Sequence, residues 1–453
     1  MMSQRKGRIR RILSLLSTAA ITVGCVGLPI PSAEDEEEIT YPFQDTSLSF
    51  EERAADLVSR MTLEEKVSQI GNNNPAIPRL GVAKYDYWKE ALHGVANLDP
   101  GQTATSFPYS IAMAATWDPD LMEEVGTAIS DEARGYNNQG LRGLSYWSPT
   151  VNLARDPRWG RNHESYGEDV YLTSALGSRF VDGFQGDDDK YLKVIATLKH
   201  YAANNSEYNR HNGSSDVEEL YLRDYYTRAF KNIVRETGIS QVMSSYNRIN
   251  GTPASANTWL LDTLLRKTFG FRGYVVSDCG AIKNMVDDHK WDPDGDGIPV
   301  TYEEATMYGL TAGCDMDCGS IYPQNALGAV RSGILSEDVI DRSLLRIFTA
   351  RMKTGEFDPA EDVPYRSEEY SYANQVESEE HVQLAEDSAD QTIVLLKNEA
   401  VLGESAPILP LDPDASQKVV MVGDLATQNL LGGYSGTPSK ENISTPMQGL
   451  SLI

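Results

Sequence analysis

The chain has 453 residues, enough for about three domains at ~150 residues each, although one (β/α)₈ barrel can absorb about 250. Lys and Arg total 40 against 66 Asp and Glu, a formal charge of −26, and without the five basic residues of positions 1–33 the remainder carries −31. Such a polyanion repels phosphate backbones and anionic lipid, which excludes nucleic-acid binding as the main role; the 40% hydrophobic and 9% aromatic content excludes wholesale disorder, and four Cys do not make a disulfide scaffold.

Arg5, Lys6, Arg8, Arg10 and Arg11 precede an uncharged apolar run from Ile12 to Val23, too short to span a bilayer comfortably. A basic region followed by a short apolar one predicts an export signal over 1–25. Two cleavage readings stay open. Ile21-Thr22-Val23-Gly24-Cys25 is similar to a bacterial lipobox, with Cys25 as the lipidated residue and Thr22 where Leu is usual; the alternative is cleavage after Ala33. The protein is accordingly expected to be exported, as a secreted, periplasmic or cell-envelope protein, with Cys25 as a point of membrane attachment. Residues 26–48, acidic from Glu34 to Glu38, are expected to be a solvated tether.

Regular structure begins near Ser49. Thr62-Leu63-Glu64-Glu65 is a capping-box pattern, with Val67 and Ile70 at core-facing spacing before Gly71. Helical stretches (218–236, 259–268, 303–309) then alternate with short apolar runs at 144–153, 194–200, 239–246, 274–278 and 312–317. This alternation predicts an α/β fold, barrel or doubly wound sheet, over about 49–355. The last helix of that region is expected from Ser336 to about Thr354, ending at Gly355. Residues 356–380, rich in acid, Pro, Tyr and Ser, are expected to be a linker. A second α/β unit opens over 381–453, with a helix at His381–Gln391 and strands at Thr392–Leu396 and Val419–Val422. So little apolar surface cannot offset the ordering cost of a closed domain, and that domain is expected to be truncated.

Polar, reactive residues gather at the ends of the short runs, where a barrel keeps its site. Tyr274-Val275-Val276-Ser277-Asp278 delivers a carboxylate; Lys199-His200 and the Arg155–Arg161 stretch followed by Glu164 supply charged donors. A carboxylate ringed by cations, His and aromatics suits a sugar: donors hold hydroxyls, aromatics cover the apolar face, and the carboxylate attacks an oxocarbenium-like centre.

Five separated motifs carry a resemblance that spans about Phe50 to Ile453. They are Trp88-Lys89-Glu90-Ala91-Leu92-His93-Gly94, Arg155 through Arg161, Lys199-His200-Tyr201, Ser244-Ser245-Tyr246-Asn247 and Val276-Ser277-Asp278-Cys279-Gly280. In this order they resemble glycoside hydrolase family 3. The resemblance implies a TIM-like barrel followed by an α/β sandwich, and retaining hydrolysis of β-glycosides from the non-reducing end. It implies Asp278 as nucleophile, Arg161, Lys199 and His200 as binders of glycone hydroxyls, Tyr246 beside the nucleophile, and Trp147 near the reacting sugar. Glu164 and Glu207 are expected to hold Arg and Asn in place. It further implies that Glu90, where glucose-acting members carry a shorter Asp, fills the volume of a hydroxymethyl group and selects xylose. The expected activity is β-xylosidase on xylo-oligosaccharides. β-Glucosidase or arabinofuranosidase specificity on the same frame, or a sugar-binding lipoprotein without turnover, are the alternatives. In this part of the family the acid/base Glu comes from the second domain, so no acid is assigned within the chain.

Two further readings stay open. Asp292, Asp294, Asp296 and Glu303 match a D-x-D-x-D-G Ca²⁺ loop and its twelfth position, or else form a solvated acidic turn with a helix cap at Thr301; no cofactor is needed by the chemistry. Cys279 and Cys318 either bridge, leaving Cys314 free, or are buried thiols.

Overall fold

The computed structural model describes residues 41–451 apart from 404, 413 and 415–417. The export signal, both cleavage readings and Cys25 lie outside the described residues. No helix among the described residues is long and apolar enough to cross a membrane.

The capping signals act as their chemistry predicts. Ser49 accepts from the Glu52 N–H and starts the Phe50–Ser59 helix; Thr62 accepts from Glu65 N–H and starts Leu63–Ser68. Ile70 then becomes fully buried and leads into the first stave of a barrel. Three parallel strands form its best-ordered wall: β1 (Thr197–Tyr201), β2 (Gln241–Ser244) and β3 (Tyr274–Ser277), in the order β1-β2-β3. Every residue of the three is buried, so they show no alternation of apolar and polar faces, and the polar Lys199, His200 and Gln241 are enclosed with the rest.

Backbone hydrogen bonds carry the ring onward from both edges. Ser277 N–H donates to Met316 O and Asp317 N–H to Ile70 O; Tyr87 N–H donates to Asn72 O, and Trp147 N–H to Lys89 O. Tyr146 N–H donates to Ile195 O and Val151 N–H to Lys199 O, which returns the ring to β1. The staves around 70, 87, 147 and 316 thus complete a closed, TIM-like barrel, with helices such as Pro119–Asn138, Val170–Gln185 and Glu337–Lys353 outside it.

Three expectations need correction. The tether does not stay solvated to residue 48: Phe43 is buried, and its carbonyl accepts from Arg53 Nε at 2.8 Å. Residues 356–380 are no free linker. Asp358 pairs with fully buried Arg53 at 2.5 Å, and Val363 and Tyr365 pack with Tyr191 in a small apolar cluster of their own. The Glu379–Gln391 helix forms as expected, but no strand forms at 392–396 or 419–422. Ile393, Leu396, Val420 and Val422 are exposed, because no described strand lies beside them to pair their backbone and cover their faces.

Candidate active site

Asp278 stands at the C-terminal tip of β3. Its N–H donates to Ser244 O at 3.0 Å, which continues the β2–β3 ladder by one residue and fixes the start of the side chain. Gly280 takes φ +82, turning the chain into the Ala281–Asp287 helix. Asp278 Oδ1 accepts from Cys279 N–H at 2.8 Å; Oδ2 is buried with no hydrogen-bond partner. His200 Nε2 lies 3.7 Å from it, beyond hydrogen-bond reach. Burial pushes the Asp278 carboxyl up, and Arg161, the Cys279 N–H, Lys199 and Tyr246 oppose the rise.

β1 supplies two neighbouring groups. Lys199 Nζ donates to Glu90 Oε2 at 2.9 Å, and both side chains are almost wholly buried, 2% and 4% exposed. Burial pushes the Glu90 carboxyl up, and Lys199 opposes it. His200 is held by Asn152. Asn152 Nδ2 donates to His200 O at 2.9 Å, which makes Asn152 Oδ1 the acceptor for the His200 backbone N–H (2.7 Å) and for Nδ1 (3.1 Å). Nδ1 therefore carries the proton. Burial, followed by the charges of Arg161, Lys199 and Arg210, holds the imidazole well below its ordinary pKa, so Nε2 is a bare acceptor turned towards Asp278.

Arg161 forks onto Glu164 at 2.8 and 2.7 Å. Burial raises the Glu164 carboxyl, but the Arg161 fork outweighs it and the net shift is downward, so Glu164 is an ionised partner rather than a proton donor. Glu207 is engaged likewise, with Arg210 at 3.1 Å. Tyr246 is gripped from two sides, by the Arg210 guanidinium at 4.9 Å and the edge of His211 at 4.5 Å. Burial and the Asp278 charge push its phenol up. Trp147 is 1% exposed and stacks with Trp88 at 6.0 Å and 16°; Trp88, at 46%, is the aromatic that meets solvent at this edge.

The structure thus gathers Asp278, Glu90, Arg161, Lys199, His200 and Tyr246 at one end of the barrel. Sequence reasoning missed three contributors. Asn152 lies inside an apolar run and carries no motif of its own. Trp88 sits two residues before Glu90, and nothing in the sequence says that it, rather than Trp147, meets solvent. Tyr434 reaches in from far along the chain, its ring 4.7 Å from Lys199 Nζ; the run Gly432-Gly433-Tyr434-Ser435-Gly436 was its signal.

Cys279 and Cys318 form a disulfide, and Cys314 is buried and free, which settles that alternative. The Ca²⁺ loop is not assembled. Asp292 accepts from the N–H groups of Gly295 and Gly297, Thr301 and Glu304 form a capping box, and the Glu303 carboxylate is turned towards Gly328. Asp292, Asp294, Asp296 and Glu303 do not converge, and no described group of three or more His, Cys, Asp or Glu could hold a metal.

A probable exo-1,4-β-xylosidase of Aspergillus terreus is 38% identical over 447 residues, 94% of this chain and 56% of that protein. A β-xylosidase/α-L-arabinofuranosidase 1 of Medicago sativa subsp. varia is 38% identical over 440 residues, 93% and 54% of the two chains. The chain spans about half the length of the curated relatives it matches. Among solved structures, a GH3 exo-β-xylosidase in complex with a xylobiose aziridine activity-based probe superposes with a TM-score of 0.82 at 35% identity, covering 90% of this chain and 52% of that one. The glycosyl hydrolase family 3 N-terminal domain model matches residues 58–350, the span that closes the barrel and carries Asp278, and the chain belongs to that family.

Proposed function

We propose that the chain carries the glycone-binding and nucleophilic half of a retaining exo-β-xylosidase acting on xylo-oligosaccharides. The observation that supports this most is the buried Lys199–Glu90 pair at the same barrel end as the unpartnered Asp278 Oδ2. The relatives' names, both of which include β-xylosidase, point the same way.

In this reading Asp278 Oδ2 attacks the anomeric carbon, an ester bond forms, and the glycosidic C–O bond breaks with its electron pair on the departing oxygen; water later cleaves the ester. Arg161, Lys199 and Glu90 hold hydroxyls of the glycone. His200 accepts a hydroxyl proton at Nε2 rather than donating, because Asn152 fixes its tautomer. Glu90 occupies the space that a hydroxymethyl group would need, which a pentose lacks. The leaving oxygen needs a proton, yet Glu90, Glu164 and Glu207 are each paired with a cation. Substrates whose leaving group departs as a stable anion should therefore react, and alkyl xylosides or xylobiose should react poorly.

The test compares dinitrophenyl xyloside, dinitrophenyl glucoside and xylobiose, with peptide mapping after a 2-fluoroxyloside label. Label on Asp278 and preference for the xyloside are expected. Preference for the glucoside would overturn the specificity, and binding of xylose without label would leave a sugar-binding protein. α-L-Arabinofuranoside cleavage is the second reading, favoured by the double name of the Medicago relative. The basic and apolar leader supports export, with lipidation at Cys25; Cys25→Ala should then release the protein from membranes.

A further inference from the structure

Most of the described residues after 391 are exposed, but residues 432–437 lie against the barrel mouth as a strap. Ala104 N–H donates to Thr437 O at 2.9 Å, and the hydroxyls of Ser106 and Ser435 meet at 2.7 Å. His93 and Ser435 form a parallel bridge. The approach is too close for side chains: a Cβ on Gly436 would lie 2.0 Å from Thr105 O, one on Gly432 1.8 Å from the Tyr109 hydroxyl, and one on Gly94 2.7 Å from Gly436 N. This fit lets Tyr434, itself at φ +57, reach Lys199.

At the centre of the contact is His93, in the same motif as Glu90. Its ring sits between two carbonyls, Phe107 O at 2.7 Å from Nδ1 and Gly433 O at 3.2 Å from Nε2. A neutral imidazole has one N–H and can satisfy one of them; the shorter contact assigns it to Phe107, leaving a lone pair opposed to Gly433 O. An imidazolium satisfies both. Gly433 O also accepts from the Tyr109 hydroxyl at 3.2 Å, so the strap keeps one donor in either state. We propose that His93 is a positioning residue, a proton-operated latch whose second N–H fastens the Gly433 carbonyl and fixes the strap that brings Tyr434 to Lys199.

The titratable groups that face His93 are Tyr109, at 4.2 Å between rings, and His163 and Glu164 from the Asn162–Glu164 turn. Burial comes first and holds the His93 pKa below the ordinary imidazole range; the Phe107 and Gly433 carbonyls oppose it, His163 adds to the lowering and Glu164 opposes it. Through the Gly433 contact protonation and docking are linked: that carbonyl favours the proton, so a pH low enough to charge the buried ring tightens the strap.

The latch rests on the xylosidase reading only for the sugar used as probe. Its test is hydrogen exchange of the 432–437 amides in the full chain from pH 4 to 7, corrected for intrinsic rates, in wild type, His93→Gln and His93→Ala. Wild-type protection should rise by about fivefold as pH falls, the worth of one hydrogen bond. His93→Gln, which keeps a donor and cannot titrate, should give flat protection. His93→Ala should lose about fivefold at low pH and raise KM for dinitrophenyl xyloside while changing kcat little. Persistence of the pH trend in His93→Gln, or wild-type protection in His93→Ala, would overturn the latch. Should the alanine variant not fold, Tyr109→Phe decides: it removes the other donor and must keep the pH trend. Wild type that shows the trend but neither binds xylose nor turns over the xyloside would break the xylosidase reading and leave the latch standing.

Discussion

β3 in the barrel and residues 419–422 near the C-terminus present nearly the same local sequence, Tyr-Val-Val-Ser against Val-Val-Met-Val. In β3, Val275 and Val276 are 0% exposed; in the second segment Val420 is 71% exposed and Val422 89%. Intrinsic preference does not separate them. β3 has β2 on one side and the Met316 stave on the other, so each backbone group finds a partner and each face is covered. Residues 419–422 have no described neighbour. A parallel strand is a property of its neighbours more than of its own residues, and a short apolar run is only an offer of one.

That difference locates the chemistry, and substitution can break it. If turnover resides in the barrel, Asp278→Asn should lower kcat/KM on dinitrophenyl xyloside by about 10³–10⁵-fold, while the melting temperature moves little. Activity that survives at more than about a tenth of wild type would place the nucleophile elsewhere. The carboxylate must be ionised to attack, and burial pushes its pKa up. The acid limb of kcat/KM should therefore lie above the ordinary carboxylate range, activity falling as pH falls through it. For stability, Val276→Ala removes two methyl groups from a closed core and should cost about 2 kcal/mol in urea unfolding. Val420→Ala should stay within about 0.5 kcal/mol. Equal losses at the two sites would mean that the C-terminal segment is packed in solution.

The barrel was legible because its signals are local and redundant. Capping boxes at Thr62 and Thr301, a helix running from Ser336 to Gly355, and apolar runs ending in reactive groups each state one element. Asp278, Lys199, His200, Arg161 and Tyr246 were legible because each lies at such an end. What could not be read was partnership across the chain. Nothing in Glu356–Glu380 says that Asp358 will meet Arg53, or that Tyr365 will meet Tyr191. The acidic run at 292–296 satisfies a ligand pattern, yet Asp292 turns onto the N–H groups of its own loop at Gly295 and Gly297. Tyr434 needed the strap, and the strap needs glycines whose purpose appears only beside Thr105 and Tyr109.

Smaller effects sharpen the contrast within the barrel. Glu90→Asp shortens the side chain by one methylene, which opens space beside the glycone but lengthens the contact to Lys199. The ratio of xyloside to glucoside kcat/KM should fall by about tenfold, since one methylene of pocket is worth about that much. An unchanged ratio would take specificity away from Glu90.

Asp317 gives the subtlest test, because it sits one stave from Asp278 and uses its carboxylate for structure. Oδ2 accepts from Ile321 N–H at 2.7 Å and Tyr322 N–H at 3.2 Å, capping the Ile321–Arg331 helix, and Oδ1 meets the Ser277 hydroxyl at 3.3 Å. Burial outweighs these donors and pushes the carboxyl up to about 6 from an ordinary 3.8. Between those two values the folded chain binds a proton that the unfolded chain has released, so this group's contribution to stability falls as pH rises through the window and stays low above it. Asp317→Asn keeps an acceptor for the helix and does not titrate. The difference in melting temperature between variant and wild type should therefore move in the variant's favour from pH 4 to pH 7. A difference that stays constant, or moves the other way, would mean that the helix N–H donors outweigh burial and that the carboxylate is ionised throughout.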